Sequence, residues 1–216
     1  MDLDKYKKAW DNQPEETDRV SKVDIYKMAH SKSSSIVKWI FIIGVLELLF
    51  WAGLNIFFIE SSYTEVYEQL HLNTFVKISI YLHYFVIIIF LYFFYKNYKS
   101  ISISDTTKVL LKKILKTRKT VKYYVYFNLL FLVFSNILLL CFIFSDLDLL
   151  IEYYNSQGIA TPDNKQHLLI SLVIATVFLL GFMVLILWLF YKIIYGVLLR
   201  KLNKNYKELS KLEDLN

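Results

Sequence analysis

The chain has 216 residues, 56% of them hydrophobic, and a single cysteine. Soluble domains average roughly 45–50% apolar residues, so this excess, gathered into long unbroken runs, indicates that much of the chain faces lipid. A lone cysteine, Cys141, excludes an intrachain disulfide and a cysteine-based zinc site. The net charge of +6 could point to nucleic acid, but the positions of the charges, described below, explain it without one.

Residues 1–35 are polar and carry seven Lys or Arg and seven Asp or Glu. LDKYKKAW predicts a short amphipathic helix that ends before Pro14, because proline disfavours a helical residue before it. Ser21 begins a capping box that predicts a second helix from Lys22 through Met28. That helix runs directly into the apolar segment that follows unless the Ser33-Ser34-Ser35 run breaks it. The side chains predicted to contact a protein partner are Tyr6, Trp10, Ile25 and Met28.

Four apolar runs dominate the rest of the chain, at residues 36–59, 74–95, 123–144 and 168–190. At about 1.5 Å of rise per residue, each can cross a bilayer core of roughly 30 Å as a helix. Polar connections occupy residues 60–73, 96–122 and 145–167, and a polar tail occupies residues 191–216. The predicted fold is an all-α membrane protein, a bundle of four transmembrane helices with helical extensions.

The distribution of Lys and Arg predicts the orientation of these spans. Residues 1–35, 96–122 and the tail from Lys192 hold 22 of these cations, whereas the other two connections hold only Lys165. Both termini and the middle connection are therefore predicted to be cytoplasmic, with connections 60–73 and 145–167 outside. Aromatic residues predicted near the inner interface are Trp39, Tyr95, Tyr123, Tyr124 and Trp188. This pattern accounts for the basic balance, so we expect no nucleic-acid partner.

The segment 96–122 predicts a basic amphipathic helix that continues into the third span, with Ser104 or Asp105 as its N-cap. Its apolar side chains recur at helical spacing; they are Val109, Leu110, Ile114, Leu115 and Val121. Its cations could bind anionic lipid headgroups or an acidic partner, or could serve only to set the topology. The predicted headgroup contacts are Lys112, Lys113, Lys116, Arg118 and Lys119.

Ionisable and polar side chains inside the spans are the most informative single residues. Glu47 lies near the centre of the first span, where a carboxylate costs about 2.5–3.5 kcal/mol unless it is neutral, paired or turned inward. Counting residues along each span places His83, Asn136 and Thr176 at depths within about one helical turn of one another. We therefore predict a polar layer of Glu47, His83, Asn136 and Thr176. Such a layer fits a proton or ion site, and it also fits hydrogen bonds that fix helix register.

Motifs for metal or nucleophilic chemistry are missing from the sequence. The histidines, His30, His71, His83 and His167, fall in separate segments and form no HxxxH or HExxH pair. There is also no GxSxG, P-loop or Gly-rich dinucleotide turn. We therefore expect no metal, no cofactor and no enzymatic activity.

Three strings, LDKYKKAWDNQPEE, IYKMAHSKSSSIVKWIFIIGVLELLFW and ILKTRKTVKYYVYFN, resemble a family of uncharacterised four-span bacterial inner-membrane proteins. Members often carry a carotenoid monooxygenase label, but the histidine-ligated iron which that cleavage requires has no matching ligand set here. Members are frequently encoded beside alternative sigma factors. The resemblance implies a membrane anchor that holds a transcription regulator through its N-terminal helices.

Taken together, these observations predict an interaction or regulatory protein of the bacterial inner membrane, with lipid and a cytoplasmic protein as its partners. The alternative is a small proton- or ion-coupled transporter that uses Glu47 and His83. A homo-oligomer is compatible with the small residues of the first span, Gly44, Ala52 and Gly53, where helices can approach closely.

Overall fold

The computed structural model describes residues 22–58, 67–102, 104–159 and 164–214, and its regular elements are all helices. They are α1 (Lys22–Phe58), α2 (Asn73–Ser100), α3 (Thr107–Ser145), α4 (Leu147–Ser156) and α5 (Lys165–Asp214). Four of them, α1, α2, α3 and α5, are long and apolar enough to cross a membrane. The predicted all-α fold with four long apolar helices is confirmed, and it indicates a multi-pass membrane protein.

The four long helices form an antiparallel bundle. Helix α1 packs against α2 and α5, and α3 packs against the same two helices, so the order around the bundle is α1, α2, α3, α5. Ser33 of α1 meets Asn205 of α5, while Glu47, further along α1, meets Tyr191, earlier in α5. This opposite sequence direction is the up-down-up-down arrangement of bundles with short connections.

Helix α1 passes through the Ser33-Ser34-Ser35 run without a break. Ser33 is fully buried, and its hydroxyl accepts a hydrogen bond of 3.1 Å from the Asn205 amide. Tertiary packing of this kind stabilises a helix more than the propensity of its residues does. The serine run is therefore a contact with α5, and α1 is one helix across its polar and apolar parts.

The described bundle divides into two halves that bury very different amounts of side chain. We define the basic half as residues 22–47, 87–101, 107–128 and 191–214, and the apolar half as residues 48–58, 73–86, 129–145 and 165–190. The buried hydrophobic side chains lie in the basic half, apart from Leu72, Leu150 and Leu168. In the apolar half most large side chains point outward, with Phe178 78% and Ile56 70% exposed. This is the pattern expected where lipid covers the helices.

The start of α3 differs from the sequence prediction in detail. Thr106 is the N-cap, and its hydroxyl accepts from the Val109 amide at 3.4 Å, so neither Ser104 nor Asp105 has that role. Of the predicted apolar face, Leu110, Ile114 and Val121 are fully buried, whereas Val109 and Leu115 are 40% and 44% exposed. The buried face is narrower than the hydrophobic pattern because α3 presents one stripe to its neighbours.

A helix that the sequence analysis did not predict, α4, occupies part of the connection 145–167. The Asp146 carboxylate accepts from the Leu149 amide at 3.2 Å and caps its first turn. Gly158 ends it in a left-handed conformation with φ of 69°, which glycine adopts without steric cost. The capping aspartate followed by LDLLIEYY was the available signal.

Candidate functional site

A buried polar cluster of the described residues centres on Glu47. The Tyr191 hydroxyl donates to one carboxyl oxygen at 2.6 Å, and the Tyr195 hydroxyl donates to the other at 3.1 Å. Glu47 is 6% exposed, Tyr191 4% and Tyr195 1%. Because each carboxyl oxygen accepts one bond, a single side chain of α1 is tied to two successive turns of α5.

Aromatic rings enclose this carboxyl group. Tyr124 of α3 is fully buried, with its ring centroid 6.1 Å from that of Tyr191 and 5.8 Å from that of Tyr195, both edge to face. Phe94 of α2 packs on Tyr124 at 5.4 Å. Edge-to-face pairs at this spacing are favourable. We name Glu47, Tyr124, Tyr191 and Tyr195 the tyrosine cluster; with Phe94 it joins all four long helices.

Helical spacing explains how the sequence builds the cluster. Tyr191 and Tyr195 are four residues apart and so share one face of α5. Tyr124 was predicted at the membrane interface, but it points into the bundle, whereas Trp39, Tyr123 and Trp188 are 54%, 54% and 43% exposed. The Tyr191–Tyr195 pair just after an apolar run was the signal that sequence reasoning missed.

Counting residues along the first span placed Glu47 near its centre, but the structure places it at the edge of the basic half. Its partner Tyr191 follows the apolar run 168–190, and Gly44, one turn before Glu47, packs against Leu91 and Phe94 at the far end of the second run. The reason is that Ile36 and Ile40, counted as membrane-spanning, are buried among the helical extensions. The start of the first apolar run therefore packs against the protein.

His83 belongs to a different polar contact, between α2 and α3. Its Nε2 lies 2.9 Å from Oδ1 of Asn128, which is buried. Since a carbonyl oxygen only accepts, Nε2 is the donor and carries a proton. The imidazole stacks on Phe131 with ring centroids 4.6 Å apart and planes 6° from parallel. The Asn128 amide also donates to the Tyr124 carbonyl at 2.9 Å, so this contact adjoins the tyrosine cluster.

The predicted polar layer is thus divided in the structure. Glu47 bonds to tyrosines of α5, and His83 bonds to Asn128. Asn136 donates to the Leu132 carbonyl of its own helix at 2.8 Å and shares with His83 the lining of a cleft of about 240 Å³ between α2 and α3. Thr176 is half-buried on α5. Depth along a helix was estimated from sequence, but the direction of each side chain depends on packing.

The residues predicted to contact a protein partner are described only in part. Tyr6 and Trp10 lie outside the described residues. Ile25 is half-buried and Met28 is 45% exposed on α1. Their neighbours Ala29 and His30 are buried, so α1 turns one face into the bundle here and leaves Met28 on the other.

The predicted headgroup cations also separate into two groups. Lys112, Lys116 and Lys119 are exposed. Lys113 instead forms an ion pair with Asp105, with 2.6 Å between Nζ and Oδ1. Burial alone would raise the pKa of Asp105, but hydrogen bonds from Lys113 and from the Ser102 amide outweigh it and hold that pKa below its usual value. The Lys113 side chain therefore ties α3 to the turn between α2 and α3.

Arg118 has a buried Nε with no hydrogen-bond partner among the described residues. Within those same residues, no group of three His, Cys, Asp or Glu side chains is close enough to hold a metal ion.

Comparison with known proteins identifies the family but no activity. Searches of curated proteins and of solved structures each returned no match. A family model described as Domain of unknown function (DUF8845) matches residues 23–214, which is most of the chain and covers α1 to α5. The chain therefore belongs to the DUF8845 family, whose description assigns no activity.

Proposed function

We propose that this chain is a membrane-anchored interaction protein whose helical extensions, at residues 22–35, 96–101, 107–122 and 191–214, lie in the cytoplasm and present a surface to a cytoplasmic protein. The observation that carries the proposal is the position of the core. All four long helices extend beyond their apolar runs, and the extensions of α3 and α5 bury Leu110, Ile114, Leu202 and Leu209 completely. A chain that only crossed the membrane has no need of a packed helical body beyond it.

The basic half is also held by specific polar contacts. Besides Ser33–Asn205, the Asn97 amide donates to the Thr120 hydroxyl at 3.1 Å, between α2 and α3. The Tyr26 hydroxyl donates to the Asp105 carbonyl in the turn that precedes α3. Hydrogen bonds of this kind, one buried and two partly buried, favour one defined arrangement of helices. A defined body offers a partner a fixed surface, which lowers the cost of ordering side chains on binding.

Met28 is the described residue that we place at the centre of the contact. It is an exposed apolar side chain on α1, and methionine adapts to the shape of a partner. The family resemblance suggests that this partner is a transcription regulator of the sigma-factor class, held at the membrane by α1 and the residues before it. We propose no enzymatic activity.

The test uses a photoreactive amino acid placed at Met28 in the full chain, in native membranes. The matched control carries the same amino acid at Phe178, which is 78% exposed in the apolar half. We expect one stoichiometric protein adduct from the Met28 position and only lipid adducts from the Phe178 position. Lipid adducts alone from both positions would contradict the proposal.

A truncation locates the contact further. Removing residues 1–21 leaves the buried Ala29, His30 and Ser33 of α1 in place, so the bundle is expected to keep its thermal unfolding midpoint. If the Met28 adduct is then lost, the contact requires the segment with Tyr6 and Trp10. If the adduct persists, α1 itself is the contact.

A second candidate is a proton- or ion-coupled conduit, which is favoured by one observation. Glu47 is an ionisable group, 6% exposed, within a membrane-length helix, and such groups often mark ion pathways. The test is proton flux in proteoliposomes of the parent and of Glu47→Gln, which cannot ionise. Flux that is lost in the variant supports the conduit, and equal flux in both excludes Glu47 from it.

A further inference from the structure

A groove runs along the outside of the bundle between α3 and α5, where the basic half meets the apolar half. Its volume is about 330 Å³, and Val125, Leu129 and Leu199 form part of its apolar lining. Two lysines, Lys122 of α3 and Lys192 of α5, line the same groove, and both are exposed. One cation from each helix thus converges on an apolar channel.

The groove contains aromatic residues and lysine side by side. Trp188 lines it, and the Lys192 ammonium lies 4.3 Å from the centroid of the Trp188 ring. This cation–π contact keeps the lysine beside the groove. Tryptophan and lysine together are typical of the boundary between headgroups and acyl chains, where the long lysine stem lies on apolar surface and the ammonium reaches the headgroups.

The groove extends along α5 on both sides of Lys192. Its lining on α5 runs from Trp188 to Leu199, which at about 1.5 Å per residue spans roughly 16 Å. Gly196 lies in it, and a Cβ placed there meets only the Lys192 side chain, at 3.9 Å. The missing side chain at Gly196 leaves the space beside Lys192 open.

We infer that this groove binds one anionic phospholipid, with its phosphate at Lys122 and Lys192 and an acyl chain along Val125, Leu129 and Trp188. The two cations complement the phosphate charge, and the apolar lining complements the tail. The site differs from the exposed Lys112, Lys116 and Lys119 surface because it joins charge to a concave apolar wall. Tyr191 and Tyr195 contribute to the same wall, so the lipid would cover the outer side of the tyrosine cluster.

The experiment measures lipid binding to the delipidated full chain in detergent by native mass spectrometry, with dilauroyl phosphatidylglycerol and dilauroyl phosphatidylcholine as probes. We expect phosphatidylglycerol to bind in preference, with one molecule per chain. The double variant Lys122→Gln/Lys192→Gln is expected to bind phosphatidylglycerol roughly 30-fold more weakly, since each cation near an anionic surface contributes roughly a fivefold factor.

The matched control is Lys108→Gln/Lys207→Gln, which removes the same charge from two exposed lysines outside the groove. This control is expected to keep the parent affinity within about threefold. An equal loss in the control would mean diffuse attraction to a basic surface and would overturn the site. Inorganic phosphate that displaces the lipid at equal concentration would assign the lysines to free phosphate and overturn it as well.

A steric variant tests the groove without changing charge. Gly196→Leu fills the open space with a side chain of high helix propensity, so we expect a parent-like unfolding midpoint. Its affinity for phosphatidylglycerol should fall at least tenfold while its net charge is unchanged. Gly196 lies one turn beyond Lys192 on the side away from Trp188, so unchanged binding in this folded variant would show that the headgroup does not lie in the groove beside Lys192.

Discussion

The two halves of the bundle differ in how many side chains they bury between their helices. In the basic half, helices bury both apolar and polar side chains against one another, and all the buried polar residues of the described chain lie there; they are His30, Ser33, Glu47, Asn97, Thr117, Asn128 and Asn205. In the apolar half, large side chains point outward. Lipid is as apolar as leucine, so helices inside it gain little by hiding such side chains from it.

The comparison teaches where the specificity of the fold lies. The basic half holds its helices together through a core of buried apolar and polar side chains, whereas the apolar half depends on length, hydropathy and a few polar contacts. One such contact is the bond of 2.7 Å from the Asn55 amide to the Tyr84 hydroxyl, between α1 and α2. Substitutions in matched pairs can therefore test whether the halves differ as the burial pattern predicts.

Glu47 lies at the junction, and its replacement should have the largest effect. Glu47→Leu leaves the Tyr191 and Tyr195 hydroxyls buried and unpaired, at about 1–3 kcal/mol each. The expected loss of stability is therefore about 2–6 kcal/mol, measured by denaturant unfolding in micelles. Glu47→Gln should lose much less, because its amide can still pair with both hydroxyls. Parent-like stability in Glu47→Leu would show that the tyrosine cluster does not hold α1 to α5.

A direct contrast of the halves uses Leu202 and Phe178. Leu202→Ala opens a cavity in the core of the basic half, where the side chain is fully buried, and should cost about 2–5 kcal/mol. Phe178→Ala removes a side chain that is 78% exposed, and lipid or detergent can fill its place, so its cost should stay below about 1 kcal/mol. If both variants lose the same free energy of unfolding in the same denaturant measurement, the two halves do not differ in how much their side chains contribute to stability.

The glycines of α1 give a smaller and sharper contrast. A Cβ at Gly44 would lie 2.8 Å from Cδ2 of Leu91 and 3.3 Å from Phe94, whereas a Cβ at Gly53 meets nothing within 4 Å. Gly44→Ala should therefore cost about 1–3 kcal/mol through overpacking. Gly53→Ala, in the apolar half, should be neutral or slightly stabilising because alanine favours the helix. A neutral Gly44→Ala would mean that α1 and α2 separate easily.

The smallest expected effect is a pH dependence from Asp105. Because its folded-state pKa is depressed, its ion pair with Lys113 contributes stability above the unfolded pKa of about 3.9. That stability is lost as the pH falls through the lower folded-state pKa. We expect a contribution of about 0.5–1 kcal/mol near pH 6 that Asp105→Asn removes.

The control for this measurement is Asp148→Asn, at an ion pair with Lys165 whose side chains are 74% and 61% exposed. Exposed pairs contribute little, so this variant should keep the parent stability at pH 6. If Asp105→Asn and Asp148→Asn lower the free energy of unfolding equally, the Asp105–Lys113 ion pair contributes no more than an exposed pair.

Several features were accessible from the sequence because they depend on local properties. The four long helices follow from hydropathy and length. The buried stripe of Leu110, Ile114 and Val121 follows from helical spacing. The inward orientation of Glu47 follows from the cost of exposing a carboxyl group to lipid in an apolar helix. The cytoplasmic orientation and the protein partner remain predictions that rest on the Lys and Arg distribution and on the family resemblance.

Other features required the relative positions of helices distant in sequence. Glu47 meets residues 144 and 148 positions later, and no local pattern states that separation. His83 pairs with Asn128 and not with Glu47, because His83 lies between α2 and α3 whereas Glu47 lies between α1 and α5. The sequence alone thus determined how many long apolar helices form and which residues are too polar to face lipid. Only the tertiary structure decided which partners they meet, because the register between helices depends on the packing of Ile36, Ile40 and their neighbours against the extensions of the other helices.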